Sequence, residues 1–326
     1  MDAVFSSVIT YTAISIYVCN VFGNFLVIVV IQKNKKLRES PNTFLLLSLA
    51  HSDFWFAIFA FVDVIILSNQ ASNVYFEFFF NALASIYILV ALAVERYFAI
   101  LKPFVHMRRA TKCLLSKLLI SIYILAGVLS APGYYIGAKR KQFEYSWGNG
   151  TTTNTTTFAV APVWFQTVST VYSFVLFVFG FIVPTAVIIF CYSRVICHVW
   201  FKADKNRATN AGLVKSRRKL TKLFILVTVI FIITWSPTFG RLIVTQYSVR
   251  KQEAWKFEVC AMLLGLIGST ANPVIYSFRC PRFRQEVIKL LTCRCCKRRI
   301  RPIIEAKSYS LTKMESTRGK ALSPSA

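Results

Sequence analysis

The sequence predicts an all-α fold: a seven-transmembrane-helix bundle followed by a short amphipathic eighth helix. Three observations carry that expectation. The chain is 56% hydrophobic with a mean hydropathy of +0.54, above the roughly 45–50% apolar content of a soluble domain. The excess falls in blocks of about 20 residues or more, each long enough to cross a bilayer as a helix. Lys and Arg collect beside alternate blocks. Of 39, only Lys139, Arg140, Lys141, Arg241, Arg250, Lys251 and Lys256 fall on the opposite side. That asymmetry orients membrane helices and accounts for the +26 net charge without nucleic acid as a partner. It also suits contact with anionic membrane lipid.

The spans read in order as follows. The first runs over Val8–Ile31 and ends at the basic stretch Gln32–Ser40. The second runs over Pro41–Leu67, with its proline in the first turn, where a missing N–H costs little. The third, Ala71–Leu101, stops before Pro103. The fourth, Lys112–Ile136, has Pro132-Gly133 near its end, and a long loop, Gly137–Pro162, follows. The fifth is Val163–Trp200 with internal Pro184, the sixth Leu213–Tyr247 with Pro237, and the seventh Glu253–Phe278 with Pro273. After Pro281, an apolar face of Phe283, Val287, Ile288 and Leu291 opposes Arg282, Arg284 and Lys289, the pattern of a helix lying on a membrane surface. The helical domain thus covers residues 1–291. A basic, then Ser- and Thr-rich tail over 292–326 is expected to be disordered.

No basic run precedes the first block, so no cleavable signal peptide is expected and the first helix serves as its own insertion signal. The long loop carries sequons at Asn149 and Asn154, which accept glycans only on the lumenal or extracellular side. Charge bias and sequons together set the N-terminus outside and the C-terminus inside, at the plasma membrane. That arrangement requires an odd number of crossings.

Polar groups within such spans are costly and mark candidate sites. Asp53 lies mid-span in the second helix, and Asn81, Ser85, Ser269 and Asn272 fall at matching depths. Two readings stand: oxygens gathered for a small cation, Na⁺ above all, or a neutral Asp in a structural hydrogen-bond network. Glu95-Arg96-Tyr97 closes the third span, where an isolated pair would simply snorkel to the interface. Asn272-Pro273 in the seventh span, Trp235-Ser236-Pro237 in the sixth and Pro184 in the fifth supply three proline bends. They allow a packing with two arrangements. In the seventh span the Asn272 amide is expected to bond the backbone that Pro273 frees.

These residues, taken in order, resemble the rhodopsin-like (class A) G-protein-coupled receptors over Val8–Leu291. Gly23-Asn24 matches the first-helix signature and Asp53 the sodium-binding acid. Glu95-Arg96-Tyr97 matches the acid-Arg-Tyr motif, followed by Ala99-Ile100 and Pro103. Pro184 and Tyr192 match the fifth-helix pair. Phe231, Trp235 and Pro237 match the sixth-helix toggle, with Thr234 where Cys is usual. Asn272, Pro273 and Tyr276 match the seventh-helix motif. Ile86, Pro184 and Phe231 stand where the family's transmission triad sits. The resemblance implies a receptor, not an enzyme. In it an extracellular ligand favours outward movement of the sixth helix, Arg96 is freed for a heterotrimeric G protein, and Tyr192 and Tyr276 hold the open state. Arrestin and receptor kinases are implied partners of tail residues such as Ser308, Ser310, Thr312, Ser316 and Thr317.

The departures are informative. Ala71 stands where the family carries the third-helix cysteine, and residues 137–162 contain no Cys, so the usual disulfide to that loop cannot form. Tyr123 stands near the usual Trp. Arg217 and Arg218 occupy the inner end of the sixth span, which lacks the acid that would pair with Arg96; raised basal activity follows.

Phe78 occupies the place of the amine receptors' Asp, which argues against an aminergic ligand, and the interior of the seventh span offers no Lys for a retinal Schiff base. The expected pocket is Phe78, Phe79, Ala82, Trp235, Phe239, Met262 and Asp63. Asp63 and Glu77 suit a cationic peptide or amine, Arg241 an anionic group, and Glu77 alternatively sits at the membrane edge. A peptide ligand is the reading preferred, with lipid-like or other small ligands open. Cys293, Cys295 and Cys296, past the amphipathic stretch, are candidates for S-palmitoylation, with zinc as the rival. His51, His106 and His198 form no ligand set. A seven-helix transporter or pump is the alternative class, weakened by the scarcity of intramembrane charges beyond Asp53 and Asp63.

Overall fold

The computed structural model describes residues 2–66, 72–109, 111–148, 162–202, 211–247, 251–279 and 281–291. It divides into two compact units, Met1–Arg279 and Cys280–Ala326. Among the described residues every element is helical: α1 (Asp2–Lys33), α2 (Lys35–Arg38), α3 (Pro41–Ile66), α4 (Ser72–Leu101), α5 (Pro103–Arg109), α6 (Lys112–Gly148), α7 (Val163–Phe177), α8 (Val183–Ile196), α9 (Ala211–Tyr247), α10 (Lys251–Arg279) and α11 (Pro281–Leu291). A wider π-turn over Val178–Ile182 joins α7 to α8, and a second, Cys197–Lys202, prolongs α8. The seven expected spans are therefore α1, α3, α4, α6, the continuous α7–α8 rod, α9 and α10. Six are long and apolar enough to cross a membrane, and the apolar part of α3, Thr43–Phe59, is shorter.

Two expectations need correction. The loop after the fourth span does not begin at Gly137, because α6 continues to Gly148. Its 37 residues reach about 55 Å at 1.5 Å per residue, well beyond a hydrocarbon core of about 30 Å. Nothing stops it earlier: the next proline after Pro132 is Pro162, and a single glycine only weakens a helix. The basic connections also hold short helices. Asn34 caps α2, its side-chain oxygen accepting from Leu37 N at 3.2 Å, and Pro103 opens α5 in the position where proline fits best.

The bundle of Met1–Arg279 is organised around α4, which packs against α3, α6, α8 and α9, while α1 packs on α3 and α10, and α9 on α10. In the apolar segment of α4, 67% of residues are buried, against 28% in α6. The outside is apolar: Ile124, Val128 and Ile233 are 61%, 65% and 61% exposed. Asn24, Asp53, Asn81, Ser85, Ser269 and Asn272 are all buried. That inversion suits a lipid surround, in which polar groups turn inward.

Small residues set the closest approaches, as expected where lipid supplies no hydrophobic drive between helices. A Cβ on Gly23 would lie 3.0 Å from the Pro273 ring, and one on Gly265 3.3 Å from Phe78 and 3.4 Å from Trp235. A Cβ on Gly268 would overlap the Thr234 hydroxyl.

The prolines are accommodated individually. Pro237 cannot donate to Ile233 O, and the neighbouring Ser236 hydroxyl does so instead at 3.1 Å. Near Pro132, the Tyr172 hydroxyl of α7 donates to Leu129 O at 2.9 Å and reaches Ser130 O at 3.3 Å. Before Pro184 the helix widens: Val183 N–H donates to Val178 O rather than Phe179 O. The carbonyl so released accepts from the Tyr87 hydroxyl of α4 at 2.7 Å. Within the same turn Gly180 lets the backbone approach α4 and α9, since a Cβ there would stand 2.8 Å from Leu83 and 3.0 Å from Phe239. Tyr123, in place of the usual Trp, ties α6 to α3 by donating to Ser48 O at 3.2 Å.

In the second unit, α11 sets Phe283 and Val287 on one face and the Lys289–Glu286 ion pair, at 2.8 Å, on another. Ile288, expected with the apolar residues, is 45% exposed.

Gly268→Ala is expected to cost about 1–3 kcal/mol through overpacking, lowering the melting temperature in detergent. Adding Thr234→Ala should restore most of the loss. A Gly268→Ala protein that melts with the wild type would show that α9 and α10 are not in close contact there.

Candidate functional site

The predicted polar residues form two sites along the axis of the bundle, and an aromatic layer lies beyond the first, on the side away from the second. In the middle, the Asn272 amide of α10 donates to Asp53 Oδ2 of α3 at 3.0 Å, not to the backbone near Pro273 as its sequence neighbourhood implied. The side chains of Ser269, Asn81 and Ser85 also turn toward this carboxyl, so three helices converge on one acid. Its Oδ1, the Ser85 hydroxyl and the Asn81 amide nitrogen are buried without a hydrogen-bond partner among the described residues. The Asn81 carbonyl is engaged, accepting from Ser52 at 2.8 Å. Asn24 does not join the cluster: its amide bonds Asn20 Oδ1 at 2.7 Å.

The expected pocket residues form a stacked apolar layer. Phe78 packs on Trp235 with ring centroids 4.8 Å apart, Phe231 on Trp235 at 5.5 Å and Phe79 on Phe239 at 6.1 Å. Phe181 extends the layer from the π-turn, 5.1 Å from Phe239. Phe78, Ala82, Trp235 and Phe239 are at most 2% exposed, and Met262 is half-buried. Such offset and edge contacts each add about 0.5–1.5 kcal/mol beyond burial. Ile86, Pro184 and Phe231 are buried as well, and Thr234 bonds back to Ile230 O at 2.9 Å, a contact that favours bending. Glu77 points elsewhere, into a crevice shared with His51, Trp55 and Tyr123.

At the other end, Arg96 is buried and held by its neighbour. Its Nε donates to Glu95 Oε2 at 2.7 Å and its Nη2 to Oε1 at 3.0 Å. His106 of α5 meets the same Oε1 through Nε2 at 2.8 Å. The guanidinium lies 5.5 Å from the centroid of Phe224 on α9, a cation–π contact. Tyr97 stacks with Phe190 at 6.3 Å and packs against Ile100, Val195 and Val199. Tyr192 is buried facing Thr228, within the field of Arg96, whereas Tyr276 lies in the field of Asp53. Arg218 of α9 donates to Val199 O at 2.7 Å, so an arginine ties α9 to the end of the fifth span.

The sequence pattern of the 7 transmembrane receptor (rhodopsin family) matches residues 23–276. The chain belongs to this family. Like its other members it is a membrane receptor that couples an extracellular ligand to G-protein activation; it is not an enzyme, and a transporter is not favoured. The receptor is similar to galanin receptor 2b of Danio rerio, 25% identical over 291 residues covering 85% of this chain and 73% of that one. It is 28% identical to galanin receptor type 1 of Rattus norvegicus over 303 residues, 86% and 81% of the two chains. A GQ-coupled rhodopsin of Mizuhopecten yessoensis is 26% identical over 313 residues, 85% of this chain and 58% of that one.

Asn149, Asn154, Cys293, Cys295 and Cys296 lie outside the described residues of the receptor, as does the Asp63 side chain. Sequence reasoning missed His106, Phe224 and Phe181. His106 lies eleven positions beyond Glu95, across the Lys102-Pro103 turn, where helical spacing has no reach. Phe224 and Phe181 sit among many aromatics with nothing local to single them out.

Asn272→Ala leaves a buried carboxyl oxygen without its donor and is expected to cost about 1–3 kcal/mol. In an Asp53→Ala background the same change should cost far less. Melting of the four proteins of this cycle in detergent measures the coupling; equal costs in both backgrounds would mean that the two residues do not support one another.

Proposed function

We propose that this receptor sits in the plasma membrane with its N-terminus outside, binds an extracellular peptide, and activates a heterotrimeric G protein at the Arg96 end. The observation that carries the reading is the hold on Arg96. Among the described residues its carboxylate partner is Glu95 on the same helix, and its contact with α9 is the Phe224 ring. No ion pair to α9 has to break among the described residues. Displacement of α9 then removes only an aromatic face from Arg96, which is left with a single competing acid, while the Arg218–Val199 bond at the same end of α9 has to yield. A ligand shifts this equilibrium by the difference in its affinity for the two packings, about 1.4 kcal/mol for each factor of ten.

The aromatic layer is the element through which the ligand acts. Trp235 is packed by Phe78, Phe231 and Gly265, so any side chain pressing on it moves α9 relative to α4. The peptide class is supported by the relatives, two of them galanin receptors, and by the absence of lysine from Val259–Tyr276 of α10, which leaves retinal no Schiff-base partner there.

Asp53 with Asn81, Ser85, Ser269 and Asn272 is the proposed site of an allosteric Na⁺. Unpartnered buried oxygens beside a carboxyl are what a hard cation requires. Bound there, the ion would supply the positive charge that a buried carboxylate otherwise lacks. Glycans at Asn149 and Asn154, acyl chains at Cys293, Cys295 and Cys296, and kinase and arrestin contacts in the tail complete the proposal.

Arg96→Ala should abolish G-protein activation at unchanged surface expression, while Glu95→Gln should raise ligand-free activity up to about tenfold, the effect of some 1.4 kcal/mol. Cyclic AMP and calcium readouts test both; unchanged activity in Arg96→Ala would refute the coupling role. Asp53→Asn should remove any dependence of agonist affinity on NaCl relative to choline chloride. A sodium effect that survives the substitution would exclude Asp53 as the ion's ligand.

A further inference from the structure

A second cavity lies away from the bundle axis, on the lipid side. It has a volume of about 470 Å³ and is formed where α4, α5 and α6 meet, with Leu114, Leu118, Ile122 and Leu125 of α6 facing Val94 and Phe98 of α4. That volume is within the usual range of ligand sites, about 300–1,000 Å³. The wall is open to the surround, since Leu114, Leu118 and Leu125 are 49%, 40% and 40% exposed. From Leu114 to Leu125 the groove follows about 16 Å of helix. A slot this long and apolar fits a hydrocarbon chain.

While the Tyr87 and Ser121 hydroxyls line it further along, its ionisable carboxylate and imidazole lie at one end. Glu95 and His106 line it there, and Glu95 is already engaged by Arg96 and His106, so its lining offers no uncompensated carboxylate. Two exposed cations flank the same end. Lys117 stands three residues after Leu114 and four before Ser121, on the edge of the lining face of α6. Lys102 continues the face of Phe98 by one turn, its N–H bonded to Phe98 O at 3.0 Å.

We propose that this crevice binds an anionic single-chain lipid, its hydrocarbon in the slot and its carboxylate or phosphate at Lys102 and Lys117. The inference takes from the functional reading only that the chain sits in a bilayer. An occupant would touch His106 and Glu95, and so bear on the pairing that holds Arg96. Long-chain fatty acids and monoacyl phospholipids share the required chemistry.

The test uses the full-length receptor in phosphatidylcholine nanodiscs with two diazirine-bearing probes, hexadecanoic acid and hexadecanol. Label from the acid should concentrate on peptides covering Val105–His106 and Leu114–Leu125 and fall several-fold with excess oleate. Excess lysophosphatidic acid tells a phosphate head from a carboxylate: either competitor supports the site, and the stronger one names its head group. Lys102→Gln with Lys117→Gln should reduce acid labelling several-fold while hexadecanol labelling stays low. Leu118→Trp should block the slot; melting temperature establishes that each variant is folded, and the exposed lysine variants carry the test if the tryptophan one is not. Label spread evenly over all lipid-facing helices, or acid and alcohol labelling alike, would overturn the proposal and leave annular lipid. Labelling needs no G protein, so its failure leaves the receptor reading intact, and a signalling failure of Arg96→Ala leaves the lipid site intact.

Discussion

A bilayer offers no water to an unsatisfied polar group, and the architecture of this receptor follows from that constraint. Each backbone break must be repaired by protein, and each buried side chain must find company or remain a source of energy for something else. The proline positions show the first half of this rule. Ser236 covers for Pro237, Tyr172 attends the backbone near Pro132, and Tyr87 takes the carbonyl that the π-turn before Pro184 releases. Two of the three repairs come from another helix, so the bends that give the helices freedom also tie them together.

The polar interior shows the second half. Asp53 and Arg96 are ionisable groups buried on different helices, and each meets a partner of its own, Asn272 of α10 and Glu95 of α4 respectively. On the side of Asp53 away from Arg96 lies an apolar, aromatic layer with Trp235 at its centre. Apart from the Thr238 hydroxyl, which donates to Ala261 O of α10 at 3.0 Å, motion of α9 has little polar interaction to break in the layer itself. What resists it is packing, which responds to shape and gives way between discrete arrangements rather than continuously.

Much of this was legible in the chain. Number, order and approximate limits of the spans followed from hydropathy and charge, and the motif residues fell on the expected helices. Boundaries were less legible where hydropathy ends before the helix does, as in α6 beyond Gly137. Partner choice was the least legible. Asn272 could be seen as polar and next to a proline, but not that its amide is committed to Asp53. His106 could be seen as a lone histidine, but not that a proline-started turn swings it back onto Glu95. Such pairings depend on helix rotation and crossing, which no spacing along one helix encodes.

The π-turn over Val178–Ile182 has one consequence of its own. An extra residue in a single turn advances the face of everything after it by about 100°. The halves before and after the turn therefore keep separate phases, one presenting Phe165 and Ser169 to the interior and the other Ile188 and Tyr192. Substitutions in α7 can proceed without re-aiming α8, whose phase the turn sets. A one-residue deletion that healed the turn would couple the two, turning α8 out of register while leaving its composition unchanged.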